Sequence, residues 1–326
     1  MSSDKFYQQI EQRFIKWGQE QADVHVAYVA GSRARPDHGA DEYSDLDIQM
    51  YVDDPKRYLE SNSWIENFGK LNTAIPFQNG GGGLEWLALF EGGYQVDFVI
   101  DSLTAFQAQS DKGVPLGWFL RGARVLLDKT GNAQRLIPEQ FEQSSSSAIT
   151  KESFDFTVNM FWFLAIYLAK QILRNELWTV KLRDVECKQV LLQTIEWYEK
   201  LEHGEELDTW HAGRFIYEWV DDGIFTRLNG VFGRFDAADS WRALQETIDL
   251  YELMSRKLAD HYQYTYPEAL VTEVKQWIEE HGKKLNKIKQ SLEFAQGIVF
   301  ISSANESGTQ RLLVPNHVLS TCLYAE

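Results

Sequence analysis

Short apolar runs bounded by turn residues dominate the chain up to about residue 138. Before them, apolar side chains recur at helical spacing over residues 4–20, which predicts an amphipathic helix. A second helix is expected from Pro55 to about Gly69, because proline favours the first turn of a helix. The runs themselves have the length of strands and cover Val24–Ala30, Ile48–Val52, Thr73–Phe77, Leu84–Phe90 and Tyr94–Ile100.

Beyond residue 138 the pattern changes to helical spacing rich in aromatic and charged residues. A polar stretch with four consecutive serines, 144–147, is interpreted as part of a linker over residues 139–150. Helices are predicted over 154–181, 184–202, 210–220, 239–262 and 267–282. The sequence therefore predicts an α+β protein: a first domain over residues 1–138 with a mixed sheet and helices, then an α-helical bundle domain over 151–285. No structure is predicted for the tail, residues 286–326.

The charge balance narrows the class of partner. A formal net charge of −16 over 326 residues argues against a large nucleic-acid surface, because phosphate backbones require basic patches. It suits a cationic substrate, although solubility alone also favours acidic surfaces. Cys187 and Cys322 are the two cysteines, so no disulfide framework is expected. Charged residues near the N-terminus interrupt any signal-peptide core, and no membrane-spanning run is evident. A cytoplasmic protein without nucleic-acid or membrane partners is expected.

Candidate chemistry begins with Gly31-Ser32-Arg33, which follows the first apolar run, and continues with Asp45 and Asp47. Alternate residues of a strand point to one face, so the two carboxylates project together. Carboxylate pairs of this kind hold Mg²⁺, which also binds nucleotide phosphates. Glycine lets the backbone approach a phosphate closely, and free N–H groups at a following helix start attract the anion. A turn glycine followed by solvated aspartates is the alternative, but the order of these pieces favours a metal-nucleotide site.

A third acid, Asp97, lies inside the returning strand of a predicted hairpin that turns at Glu91-Gly92-Gly93. It either faces outward and is inert, or it completes the group of carboxylates. We expect the second arrangement.

The strand, Gly-Ser turn, spacer and Asp-x-Asp together resemble the nucleotidyltransferase superfamily typified by DNA polymerase β. Over roughly residues 5–280 the chain also resembles the aminoglycoside 6-adenylyltransferases, the streptomycin-modifying family. The matching positions, besides the three aspartates and the hairpin Leu89-Phe90-Glu91-Gly92, are Phe161-Trp162, Tyr167, Ala169-Lys170, Arg174, Glu176, Glu196-Trp197, Gly213 before a basic residue, and Tyr264-Thr265-Tyr266-Pro267.

This resemblance implies an antibiotic-resistance enzyme that transfers AMP from ATP, the co-substrate, to the 6-hydroxyl of a streptomycin-type aminoglycoside. Pyrophosphate is released and Mg²⁺ is required. Phosphoryl transfer depends on positioning and charge neutralisation, which suits the three acids. Asp45 and Asp47 would hold a metal with the triphosphate. Asp97 would either complete a second metal site or act as general base, and the sequence leaves both roles open.

Nucleotide-binding residues are expected on both domains. Gly31 and Ser32, with neighbouring backbone amides, would hold the terminal phosphates, and Arg33 would add charge or simply lie at the surface. Lys170 and Arg174 are four residues apart on one helix face and match basic positions of the family. They would reach the triphosphate from the helical domain, or form a solvated basic stripe.

Aminoglycoside recognition calls for acids and an aromatic plate. Trp162 and Glu176 are the candidates, with core packing and a helix surface pair as their alternatives. The resembled family has an acid at the position of Met160, and its loss near a cationic substrate would weaken or change specificity.

Other functions remain open. Within the same class, a lincosamide or a protein hydroxyl would be the acceptor. A different class is a non-catalytic module that keeps the nucleotide pocket. A nucleic-acid polymerase on this fold is disfavoured by the net charge.

Overall fold

A computed structural model describes residues 2–78, 83–140 and 148–283 of the chain. These residues divide into two compact units, with the division between residues 145 and 146. The first unit contains a sheet with helices and the second is helical, so the predicted α+β class is confirmed. Most of the predicted linker and the whole predicted tail lie outside the described residues.

The first unit is built on a six-stranded sheet of order β3-β4-β5-β2-β1-β6. β2 and β5 pair in parallel, whereas the other four strand pairs are antiparallel. The elements in chain order are α1 Ser3–Glu20, β1 Val24–Ala30, β2 Leu46–Val52, α2 Pro55–Leu59, β3 Leu71–Gln78, β4 Leu84–Phe90, β5 Tyr94–Ser102, α3 Leu103–Lys112 and β6 Ala123–Asp128.

The two faces of this sheet are covered differently. On one face, alternate strand residues pack against α1, whose Ile10 and Phe14 are fully buried, and against Trp64 and Phe68. On the other face, the side of β1 and β2 packs against Phe106 of α3. This second face carries the candidate site beside its apolar part.

The helix predicted from Pro55 to Gly69 is wrong in its second half. α2 ends at Leu59, and a separate 3-10 helix, Ser63–Asn67, follows. The break lies at a polar stretch where the backbone N–H of Ser63 donates to the Ser61 hydroxyl. Serine side chains offer such local hydrogen bonds in competition with the helix.

The second unit consists of α4 Lys151–Leu173, α5 Leu177–His203, the short α6 Ile216–Trp219, α7 Asp222–Val231, α8 Ala237–Tyr262 and α9, residues 268–283. α4 begins at a capping box in which Thr150 and Ser153 bond each other's backbone N–H. Of the described helices, α4 is the one whose length and hydropathy would suffice to cross a membrane. Its buried side chains form the core of this unit together with those of α5 and α8.

The single helix predicted over 154–181 is also wrong. It is two helices, because Asn175 adopts a left-handed conformation, with φ of 58°, between α4 and α5. Asparagine tolerates this conformation better than most residues do. The predicted helix over 210–220 shortens to α6, and α7 was not predicted.

Candidate functional site

The three predicted carboxylates come together at one place on the sheet. Asp47 on β2 pairs in register with Asp97 on the parallel strand β5. Asp45 is the residue just before β2 and lies two residues from Asp47, so its side chain projects from the same face of the sheet. Carboxylate oxygens of the three residues all lie within 4.8 Å of one another. The group is therefore compact enough for one oxygen from each residue to reach a common cation.

The electrostatics of this group favour a divalent cation. The pKa of Asp97 is raised to about 7, first by burial and then by the nearby charges of Asp45 and Glu85. Close carboxylates resist simultaneous ionisation unless a cation lies between them. Their oxygens are the hard ligands that Mg²⁺ prefers. The residues present therefore fit a divalent metal.

The Gly31-Ser32 turn lies directly against these acids. It forms a 3-10 turn at the end of β1, and Gly31 has φ of 70°. A Cβ at Gly31 would lie 2.3 Å from Oδ2 of Asp47, so only glycine fits this close approach. Ser32 is buried, and its hydroxyl oxygen has no hydrogen-bond partner among the described residues. A buried hydroxyl of this kind is available to a ligand oxygen.

Arg33 is engaged with the backbone that carries Asp45. Its Nε donates to the carbonyl oxygen of Asp45 at 2.8 Å, and Nη2 donates to that of Ser44 at 3.0 Å. Its guanidinium carbon lies 3.8 Å from the ring centroid of Tyr7, a cation–π contact. Phosphate contact by Arg33 stays a prediction. The two hydrogen bonds give Arg33 a positioning role, because they hold the main chain that carries Asp45.

Replacing Arg33 distinguishes these two roles. We expect Arg33→Lys and Arg33→Gln to be impaired alike, with kcat reduced about tenfold. A lysine ammonium cannot donate to the carbonyl oxygens of Ser44 and Asp45 together as the planar guanidinium does. Steady-state kinetics with varied ATP would measure the effect. If lysine restored the KM for ATP while glutamine did not, Arg33 would act as a charge on the phosphates instead.

Comparison with known proteins places the chain in a family. The family model described as streptomycin adenylyltransferase matches residues 5–281 of the chain. The chain belongs to this family. An aminoglycoside 6-adenylyltransferase of Bacillus subtilis (strain 168) is 22% identical over 78% of this chain and 90% of its own length. One from Campylobacter jejuni is 23% identical over 82% of this chain and 92% of its own.

A solved structure is also similar. It is an aminoglycoside 6-adenyltransferase from Bacillus subtilis, with 18% sequence identity and a TM-score of 0.40, covering 84% of this chain and 96% of that chain. The family resemblance predicted from the motifs is thus confirmed by the family model and the curated relatives.

Three predicted binding residues of this family member lie at the surface of the helical unit. Lys170 of α4 is exposed, with its Nζ 5.6 Å from the ring centroid of Trp277 on α9. Arg174 is exposed at the C-cap of α4. Glu176 is exposed at the N-cap of α5, where its side chain makes no capping bond. All three are accessible to ligands, and their roles in binding stay predictions.

The prediction for Trp162 is wrong. Its side chain is 0% exposed, packed edge-on to Phe161 in the core, so it offers no face to a sugar. The exposed rings of α4 are instead Phe156 and Phe163, at 65% and 64% exposure. They are seven residues apart and therefore share one helix face. The sequence analysis named neither ring, although their seven-residue spacing could have separated them from Trp162.

Two polar residues beside the acids were also missed. Glu85 on β4 and Gln49 on β2 lie on the sheet face of Asp47 and Asp97, one alternation further along their strands. Both are buried. The strict period of two through the hairpin would have identified Glu85, and the same period counted from Asp47 would have identified Gln49.

Proposed function

We propose that this protein transfers AMP from ATP to the 6-hydroxyl of a streptomycin-type aminoglycoside, releases pyrophosphate, and requires Mg²⁺. The observation that carries the proposal is the compact group of Asp45, Asp47 and Asp97 against the Gly31-Ser32 turn. Membership of the streptomycin adenylyltransferase family supports the same chemistry, and so do curated relatives named aminoglycoside 6-adenylyltransferase.

In this reaction the acceptor oxygen attacks the α-phosphorus of ATP. The bond from that phosphorus to its bridging oxygen breaks, and pyrophosphate leaves with the electron pair. A divalent metal held by the three aspartates would neutralise phosphate charge when bound. Ser32 would donate its buried hydroxyl to a phosphate oxygen. The proton of the acceptor hydroxyl leaves as the oxygen attacks, and Asp97, when it is not itself a metal ligand, lies where it can accept that proton.

The acceptor class is supported by charge and by exposed rings. A formal net charge of −16 attracts polycationic drugs. Phe156 and Phe163 present exposed ring faces of the kind that pack against sugar rings and cations. We assign aminoglycoside contact to this face of α4, with Glu176 as the acidic candidate, in place of the buried Trp162.

The proposal is tested by incubating the protein with Mg²⁺ and ATP against a panel of aminoglycosides and lincosamides. Pyrophosphate release is measured over time, and the mass of each drug is then determined by mass spectrometry. We expect a mass gain of one AMP with streptomycin-like compounds alone. Modification of a lincosamide, or pyrophosphate release without a modified drug, would contradict the assigned acceptor. No release with any compound, together with ATP binding unaffected by Mg²⁺, would favour a non-catalytic nucleotide-binding module.

A further inference from the structure

The sheet face that carries the aspartates continues past them onto β4 and the edge strand β3. The strand register puts Leu87 of β4 opposite Asp97, and Ile75 of β3 opposite Leu87. Phe77 lies two residues further along β3, so its side chain projects from the same face as that of Ile75. Neighbouring strands are about 5 Å apart, so Ile75 is roughly 10 Å from Asp97 across the sheet. A row of apolar side chains therefore begins beside the acids and runs to the sheet edge.

These apolar side chains are open to solvent instead of packed in a core. Ile75 is 55% exposed and Phe77 is 50% exposed, and Leu87 is partly exposed. A solvated sheet face normally carries polar residues at such positions, and an edge strand is normally protected by charged ones. The strand β3, Leu71–Gln78, contains no charged residue. An exposed apolar surface beside a few polar groups is typical of a ligand site.

Pro76 argues against another strand as the occupant of this surface. It lies on β3 between Ile75 and Phe77 and has no backbone N–H. Proline on an edge strand interrupts the hydrogen-bond ladder that an added strand would need. The exposed side chains of β3 therefore suit a small ligand that lies on the sheet face better than a partner strand at the sheet edge.

The geometry of AMP transfer puts the acceptor on the same side of the acids as this surface. In phosphoryl transfer the attacking and leaving oxygens lie roughly in line through the phosphorus. The Gly31-Ser32 turn is at the end of β1, on the β1 side of Asp47. With pyrophosphate at that turn, the acceptor oxygen approaches from the opposite side. In the strand order β3-β4-β5-β2-β1-β6, the opposite side is that of β4 and β3.

We propose that Phe77, Ile75 and Leu87 form an acceptor platform, on which the aminoglycoside ring that receives AMP lies. This inference rests on the proposed function. A sugar or cyclitol ring has an apolar face of C–H groups, which packs against aliphatic and aromatic side chains. The ring of Phe77 also attracts a cationic substituent of the drug. Asp97 lies at the inner end of the platform, next to the hydroxyl that reacts.

The test is calorimetric binding of streptomycin to the full-length protein without ATP, so that it does not depend on catalysis. Phe77→Ala should weaken binding about tenfold, because the aromatic contact is lost, whereas Phe77→Trp should bind as wild type does. Ile75→Lys should also weaken binding by about tenfold, because it places a positive charge against a cationic drug. Lysine is common on edge strands, so this variant should fold. Thermal unfolding of each variant checks that it does.

The matched control is Leu84, at the start of β4. It is 46% exposed, like the platform residues, but it is an odd number of residues from Leu87 and therefore projects from the opposite face of the sheet. Leu84→Ala and Leu84→Lys make the same kinds of change in the same hairpin. Both should bind streptomycin with the affinity of the wild type.

Kinetics then identify which substrate the platform holds. Phe77→Ala should raise the KM for the aminoglycoside about tenfold and leave the KM for ATP unchanged. Streptomycin affinity equal to that of the wild type in Phe77→Ala and Ile75→Lys would overturn the platform. A rise confined to the KM for ATP would overturn it too, and so would a changed oligomeric state with unchanged drug affinity. A wild type that binds streptomycin tightly but transfers no AMP would overturn the proposed function instead.

Discussion

Replacing Asp47 by asparagine is expected to lower kcat for AMP transfer by about a hundredfold to a thousandfold. The amide has the shape of the carboxylate but not its charge, so one of the three carboxylates whose oxygens lie within 4.8 Å of one another is lost. Folding should not suffer, because one of three mutually repelling carboxylates is removed. The measurement is kcat at saturating Mg²⁺, ATP and drug, with thermal unfolding of the same samples.

The control for Asp47 lies at the far end of the same strand. Asp53 follows β2 at an exposed position, where it pairs with His25. Asp53→Asn should keep full activity, since an exposed ion pair contributes little to stability. Full activity in Asp47→Asn would remove the carboxylate group from the mechanism altogether.

Gly31→Ala is expected to lower kcat about a hundredfold and to lower the free energy of unfolding by about 1–3 kcal/mol. Two causes act together. A left-handed conformation is unfavourable for alanine, and the new methyl group would overlap the carboxylate of Asp47, with 2.3 Å between Cβ and Oδ2. The carboxylate has to move away from the position that brings it to Asp45 and Asp97. Denaturant unfolding and kcat report the two effects separately.

Gly93→Ala is the matched control for that experiment. Gly93 also has a positive φ, of 83°, but a Cβ there would meet nothing within 4 Å. It should therefore show the conformational cost, about 1 kcal/mol, with kcat unchanged. If Gly31→Ala kept wild-type kcat, the turn would not need its close approach to Asp47.

The site was largely predictable because its signals are local. Alternation in β2 puts Asp45 and Asp47 on one face whatever the rest of the chain does. The β4–β5 hairpin closes through Gly92 and Gly93, both with positive φ, so its strands were evident too. The parallel pairing of β2 with β5, which aligns Asp97 with Asp47, is a long-range contact that no local pattern specifies. The periodicity of the strand could not show that Asp97 lies beside Asp47, and the family resemblance supported that assignment.

The helical unit was less predictable because α4 is apolar around most of its circumference. Three aromatic residues follow one another at Phe161, Trp162 and Phe163, and composition alone does not show which rings face the core. The helical phase, which is the angular position of each residue around the helix axis, decides which rings are buried. The phase buries the first two and exposes Phe163. The break at Asn175 was likewise hidden, since the residues on both sides of it are good helix formers. Trp162 was therefore chosen for its chemistry, while its position made it part of the core.

The parallel pairing of β2 and β5 also links activity to the folding of the first unit. Asp47 and Asp97 are 50 residues apart in the chain, and closing such a loop costs on the order of 3 kcal/mol in entropy. The three aspartates lie together as a group only after this pairing has formed. A cation bound to all three stabilises the native state alone, by mass action. A molecule in which β2 and β5 have not yet paired gains no such stabilisation. Its affinity for the metal therefore reports how far the sheet has been assembled.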